Sequence, residues 1–164
     1  LKLIYDVTHN MAKLEKHGGN RLWVHRKGAT RAFGPERMTG SNFAKTGQPI
    51  ITPGSMGTAS FLLVGTGNSA ESLSSVNHGA GRVMSRTAAR GKSRRGRIVT
   101  PALISDEQFK RSMKGIKLIA GDRRKIKEEA PGAYKDIEEV VRIVVECGWA
   151  KPVARMIPLA VLKG

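Results

Sequence analysis

Asn77-His78-Gly79-Ala80-Gly81-Arg82 sets an imidazole among residues with almost no side chain and just ahead of a guanidinium. Small neighbours leave the ring uncrowded, and a neutral imidazole is a nucleophile that can take a phosphoryl group as a phosphoramidate. Backbone amides of such a loop, with Arg82, can hold a phosphate against it. The plainer reading is a loop histidine among turn glycines. Pro53-Gly54-Ser55-Met56-Gly57-Thr58, with Ser60 just beyond, is a second loop of glycines and hydroxyls whose backbone can approach an anion closely. Its plainer reading is a tight turn between two strands. Neither a Walker lysine pattern nor GxGxxG is present, so the familiar nucleotide folds are not supported.

Other residues invite chemistry with less context. His9 could ligate a metal, but His17, His25 and Cys147 are poor partners in spacing, so most ligands would have to come from elsewhere. His25-Arg26-Lys27-Gly28-Ala29-Thr30-Arg31 gathers Arg26, Lys27 and Arg31 around a glycine, as a phosphate clamp or as an exposed basic turn. Tyr134 follows Pro131-Gly132 and can stack on a base, donate a hydrogen bond, or staple the start of a helix as a core aromatic. Lys163 sits behind the apolar run Ile157–Leu162, which suggests a tail tied down rather than frayed and a lysine positioned for phosphate.

The elements that must position these groups are short. Alternation predicts a strand over Leu1–Val7, and a short helix is read over Thr8–Lys16 with Thr8 as its cap, ended by Gly18-Gly19. Further strands are expected at Arg21–His25, Pro49–Thr52, Ala59–Gly65 and Gly115–Ala120. Ser69–Ser75 reads as a helical turn. Helix-compatible residues run through Ala88-Ala89, and Gly91–Arg97 reads as a basic loop. Ser105–Met113 reads as a helix with a capping box, since Gln108 follows Ser105 by three. Ile137, Val140, Val141, Val144 and Val145 mark a helix over Asp136–Cys147, stopped by Gly148. Val153–Leu162 is a broken strand or extended tail around Pro158. Short strands and helices without regular βαβ spacing indicate an α+β fold.

The chain's 164 residues fit one domain, and 40% apolar with 26% charged residues exclude wholesale disorder. The charge balance is unusual: 29 Lys+Arg against 13 Asp+Glu give +16, which makes a polyanion the leading partner. Residues 82–127 alone carry 15 basic and 3 acidic side chains, with Phe109 their one aromatic. Backbone contact therefore fits better than base stacking. Cys147 is the lone cysteine, which excludes an internal disulfide framework and a thiolate-rich zinc site and suits a reducing cytoplasm. No apolar run is long enough to span a bilayer, and the opening Leu-Lys-Leu-Ile-Tyr-Asp-Val meets Asp6 before any signal-like core. A cytoplasmic protein that does not engage membranes is expected.

In order along the chain, His9-Asn10, Val24–Phe33, Gly47-Gln48-Pro49, Pro53–Thr58, His78–Arg82 with Met84-Ser85-Arg86, Glu129–Lys135 and the closing Val161-Leu162-Lys163-Gly164 resemble the C-terminal part of RtcB-type RNA-splicing ligases. The resemblance covers nearly the whole chain and weakens between Gly91 and Ala120. It implies an RtcB-like fold and a GTP- and manganese-dependent ligase that joins an RNA 3′-phosphate or 2′,3′-cyclic phosphate to a 5′-hydroxyl, as in tRNA splicing and RNA repair. By motif, His78 matches the guanylylated histidine and His9 a manganese ligand. Asn10, Pro53, Gly54, Ser55, Met56, Ser60, Gly79, Ala80, Gly81, Tyr134 and Lys163 match the lining of the guanylate pocket. Apart from the motif matches, Arg82 is expected on chemical grounds to contact an RNA phosphate or the transition state, and Arg86, Arg26, Lys27 and Arg31 are expected to meet RNA phosphates. The family draws its other manganese ligands (an aspartate, a cysteine and further histidines) from a region upstream of this chain. The resemblance therefore implies that the chain is part of a ligase, partnered by that upstream region, by RNA ends such as tRNA halves and by an archease-type activator. By itself it would bind nucleotide weakly and ligate nothing. The alternative is a non-catalytic basic RNA-binding module.

Overall fold

The computed structural model describes residues 2–8, 10–121 and 125–163. Strands β1 (Asn10–His17) and β2 (Asn20–Lys27) form an antiparallel ribbon. Gly18 and Gly19 close it with φ of +54° and +87°, the left-handed pair that a two-residue hairpin loop requires. The helix expected over Thr8–Lys16 is therefore a strand from Asn10 onward. Its residues pair with 20–27, and that ladder outweighs local helical preference. The strand expected over Leu1–Val7 is not formed either: residues 2–7 belong to no element, and Leu1 lies outside the described residues.

Strand β3 (Ala29–Arg31) pairs antiparallel with β6 (Ser75–Asn77). The central sheet is antiparallel in the order β10-β5-β4, built from β4 (Pro49–Thr52), β5 (Ser60–Gly65) and β10 (Ala150–Met156). Phe61 and Leu63, two apart on β5, point to one face with Ile50 of β4. Helix α3 (Ile137–Glu146) covers that face with Ile137, Val141 and Val144, the i, i+4, i+7 stripe expected from its periodicity. The Asp136 side chain accepts from the Glu138 N–H at its start, and Gly148 turns the chain away at φ +70°.

Helix α1 (Arg86–Arg90) is capped by Ser85, whose hydroxyl accepts from the Ala88 N–H. The segment expected as a basic loop is a second hairpin, β7 (Lys92–Arg94) and β8 (Arg97–Thr100). Arg95 and Gly96 supply its turn, with φ of +50° and +77°. Helix α2 (Asp106–Ser112) carries the expected capping box between Ser105 and Gln108. Beyond it, β9 (Lys117–Ala120) pairs in parallel with β11 (Ala160–Lys163), so Val153–Leu162 contributes to two strands separated at Pro158.

A second apolar cluster of Ala89, Ile104, Ala130 and Ala133 binds α1 to the short helical turns Ile126–Glu129 and Pro131–Ala133. The Tyr134 ring packs against both clusters and joins them. The architecture is α+β. Among the described residues no helix is long and apolar enough to cross a membrane.

Candidate functional site

The two glycine-rich loops meet. β4 delivers Pro53, and its carbonyl accepts from the Ala80 N–H at 3.2 Å. A side chain at Gly79 would stand 3.2 Å from that same carbonyl, a tight contact, so the glycine eases close approach of the His78 loop. The loop is held on its other sides as well. The His78 N–H donates to the Gly28 carbonyl at 3.1 Å, and the Gly81 carbonyl accepts from Lys135 at 2.9 Å. The Val83 N–H donates to Ala133 at 3.0 Å. His78 is half-buried on this frame.

Pro53, which anchors the His78 loop, also lines a cavity of about 370 Å³ with Gly54, Ser55, Met56, Ser60, Tyr134 and Lys163, together with Glu129, Pro158, Val161 and Leu162. His78 and the expected Gly79, Ala80 and Gly81 are not among its lining residues. Its volume is in the range of small-molecule sites, about 300–1,000 Å³. Seven of the residues expected around a nucleotide thus converge from three stretches of chain. Sequence reasoning missed Glu129, Pro158, Val161 and Leu162 as lining residues. Glu129 opens the Glu129–Lys135 motif, but a lone carboxylate there carries no sign of its role. The other three are brought in by the β9–β11 pairing, which has no local signature.

The loop 53–58 works differently from the anion cradle expected of it. The Ser55 N–H donates to Thr58 Oγ1 at 2.6 Å and the Gly54 N–H to Ser60 Oγ at 3.4 Å, so these amides are committed within the loop. A side chain at Gly57 would press on the Ser112 carbonyl at 2.5 Å and on Pro131 at 2.7 Å. The glycine permits close packing of this loop against the end of α2 and the Pro131 turn.

Electrostatically, the floor is a network. The Tyr134 hydroxyl donates to the Glu129 carboxylate and accepts from Arg82 Nη1 at 2.9 Å. Arg82 also donates to the carbonyls of Met84 and Glu128 at 3.1 and 2.6 Å, and its guanidinium lies 4.8 Å from the Tyr134 ring centroid. Burial pushes the Glu129 carboxyl up, but the Tyr134 hydrogen bond and the charges of Lys163, Arg82 and Arg86 outweigh it and hold it below its ordinary value. Burial, reinforced by Glu129, raises the Tyr134 phenol. The cavity therefore carries an ionised carboxylate, a neutral phenol and the Lys163 ammonium. Arg86 stands exposed above Glu128 and Glu129, at 3.8 and 3.6 Å.

Other expected site residues lie apart. Asn10 Oδ1 is hydrogen-bonded to His25 Nε2 at 2.7 Å on the β1–β2 ribbon and does not line the cavity. Lys27 is exposed at the end of β2. Arg26, expected on RNA phosphate, is 2% exposed and is corrected to a structural residue. Its Nη atoms make paired 2.8 Å hydrogen bonds to Glu15, and it also bonds Ser75 and the Leu73 carbonyl. Strand alternation carried that signal, since Val24 and Arg26 share a face and Val24 is core. Arg31 is half-buried, 3.7 Å from Glu15, bonded to Gln48 and stacked over Phe33. His9 lies outside the described residues. Among the described residues no three His, Cys, Asp or Glu side chains cluster as a metal ion requires. These residues do not by themselves fit a manganese site.

Comparison with known proteins matches residues 1–164 to the family described as tRNA-splicing ligase RtcB. Curated relatives bearing that name include proteins of Pyrococcus furiosus, 47% identical over 170 residues, of Pyrobaculum aerophilum, 44% over 172, and of Archaeoglobus fulgidus, 46% over 170. Each match takes in 100% of this chain but 17%, 34% and 33% of those relatives, so the chain spans about a third or less of their length.

Proposed function

The chain belongs to the tRNA-splicing ligase RtcB family, and on that premise we propose that it supplies the guanylate-binding part of a ligase joining RNA 3′-phosphate or 2′,3′-cyclic phosphate ends to 5′-hydroxyl ends, with His78 as the guanylylated nucleophile. The observation that carries this reading is the convergence of Pro53, Gly54, Ser55, Met56, Ser60, Tyr134 and Lys163 on one cavity, with the His78 loop hydrogen-bonded to Pro53 at its rim.

A neutral His78 ring nitrogen attacks the α-phosphorus of GTP. The nitrogen–phosphorus bond forms, the α–β bridging bond breaks, and pyrophosphate leaves with the electron pair. A 2′,3′-cyclic phosphate is first opened by water, breaking its P–O2′ bond to give the 3′-phosphate. An RNA 3′-phosphate oxygen then displaces the imidazole, so that GMP caps the 3′ end. The 5′-hydroxyl finally attacks the 3′-phosphate and gives its proton to solvent, GMP departs, and a phosphodiester remains. Lys163 stands where an ammonium offsets nucleotide phosphate charge. Tyr134 presents a phenol that burial and Glu129 keep protonated. Arg82, through Tyr134 and Glu128, holds the floor in register with the His78 loop. Manganese, which the family's chemistry calls for, has no donor cluster among the described residues.

The test is covalent labelling. A ligase of full family length carrying this chain, incubated with α-labelled GTP and manganese, is expected to retain an acid-labile label that His78→Ala lacks. Equal labelling of both removes His78 as the nucleophile. No label in either, with salt-dependent RNA retention, assigns the chain to a non-catalytic basic RNA-binding module.

A further inference from the structure

Resting on that ligase reading, we propose that the β7–β8 hairpin is the surface that holds the sugar–phosphate backbone of the RNA strand leading to His78, without regard to base identity. Every residue of both strands is exposed. Lys92, Arg94, Arg95 and Arg97 have no carboxylate partner among the described residues. Several arginines elsewhere are matched, Arg26 by Glu15, Arg90 by Glu128, Arg142 by Glu139 and Glu146, and Arg155 by Glu138. Arg21, Arg37 and Arg111 also lack a carboxylate partner among the described residues, but they are scattered, whereas the hairpin gathers its four cations within six residues.

The arrangement is unfavourable by itself. Arg94 and Arg97 are direct cross-strand partners, and like charges facing each other destabilise a ladder. Arg95 takes a left-handed backbone that L side chains rarely adopt. A row of phosphates relieves the repulsion, because each cation then gains a counter-charge and releases condensed counterions from the RNA. The hairpin's exposed apolar residues are Ile98 and Val99, with no aromatic, so it offers no platform for stacking bases.

The hairpin is tied to the catalytic loop. Helix α1 runs directly into it. The Gly91 N–H donates to Thr87 at 2.8 Å, and the returning chain bonds the helix through Leu103 N–H to Ala88 at 2.9 Å and Ile104 N–H to Ala89 at 3.3 Å. At its base is a cavity of about 520 Å³ lined by Arg90, Lys92, Ser93, Thr100 and Lys125, cations and hydroxyls suited to a phosphodiester.

The experiment uses a ligase of full family length carrying this chain and a synthetic single-stranded RNA bearing a 3′-phosphate. Arg94→Gln with Arg97→Gln is expected to weaken RNA retention about tenfold. The slope of log affinity against log salt should flatten by about 0.7 for each phosphate no longer neutralised. Labelling of His78 by GTP without RNA stays at the unsubstituted level. Arg94→Lys with Arg97→Lys is expected to keep both affinity and slope. Unchanged retention and slope in the glutamine variant that still forms the adduct overturns the proposal and leaves the ligase reading standing. Loss of retention in the lysine variant overturns it too, because charge then is not what the hairpin supplies. If the unsubstituted protein forms no adduct, the ligase reading fails, and the retention measurements still decide the hairpin.

Discussion

Two antiparallel ribbons in this molecule are both rich in cations, and they use them in opposite ways. In β1–β2 an arginine faces inward and is neutralised by a glutamate across the same ribbon, so that Arg26 and Glu15 are both buried. In β7–β8 all the arginines face solvent and each other, with no acid in the hairpin. Net charge per segment does not separate these cases. The presence of an acid on the same face of the facing strand, within reach of the guanidinium, does, and it sorts cations that build the fold from cations that await a partner.

The sharpest way to break this comparison is to remove one member of the buried pair. Glu15→Gln or Arg26→Met is expected to cost about 3–5 kcal/mol, since either leaves a group without its partner inside the protein. Removing both with apolar replacements costs less than the two single changes together. Denaturant unfolding of the two singles and the double measures this; additive losses would show that the pair is not coupled.

Acid titrates the same pair. Burial pushes the Glu15 carboxyl up, but hydrogen bonds from Arg26 and His17 and the charges of Arg26 and Arg31 prevail and leave it below its ordinary value. Its stabilising contribution is therefore complete above the unfolded glutamate pKa of about 4.3 and drains away as pH falls through the lower folded value. Melting temperatures from pH 6 downward should drop in that window, and by less in Glu15→Gln.

A smaller effect is expected at the joint of the second ribbon. Gly91 has φ +76°, and a side chain there would stand 2.7 Å from the Ala102 nitrogen and 2.8 Å from the Thr100 carbonyl. Gly91→Ala is expected to cost about 1–3 kcal/mol and to impair RNA retention by displacing the hairpin. Retention at the unsubstituted level would show that the hairpin's placement on α1 does not matter. The smallest effect is the most telling. Arg94→Gln with Arg97→Gln should leave stability unchanged or raise it by about 0.5 kcal/mol, because the change relieves repulsion. A clear fall in melting temperature would place this ribbon with the first.

How much of the molecule is legible along the chain follows how local each decision is. The α3 stripe, the capping box at Ser105 and strands β4 and β5 depend on residues within one element, and all appear as expected. β1 does not, because its strand character comes from pairing with β2 across the Gly18-Gly19 turn. The same holds at the site. Short motifs located Pro53–Ser60, Tyr134 and Lys163 through family resemblance. The Pro158, Val161 and Leu162 wall depends on a parallel pairing between segments some forty residues apart. Arg26 reads as a surface cation only while its basic run is weighed as composition; its alternation with Val24 already points it inward.

The parallel ladder between β9 and β11 has one more consequence. Its register sets Lys163 opposite Ala120, and the Gly121 N–H closes onto the Lys163 carbonyl at 2.9 Å. Side chains along a strand swap sides with every step. Sliding β11 by a single position would turn the ammonium out of the cavity while every amino acid stayed the same. At this wall, evolution can vary side-chain identity more freely than it can tolerate an insertion or a deletion.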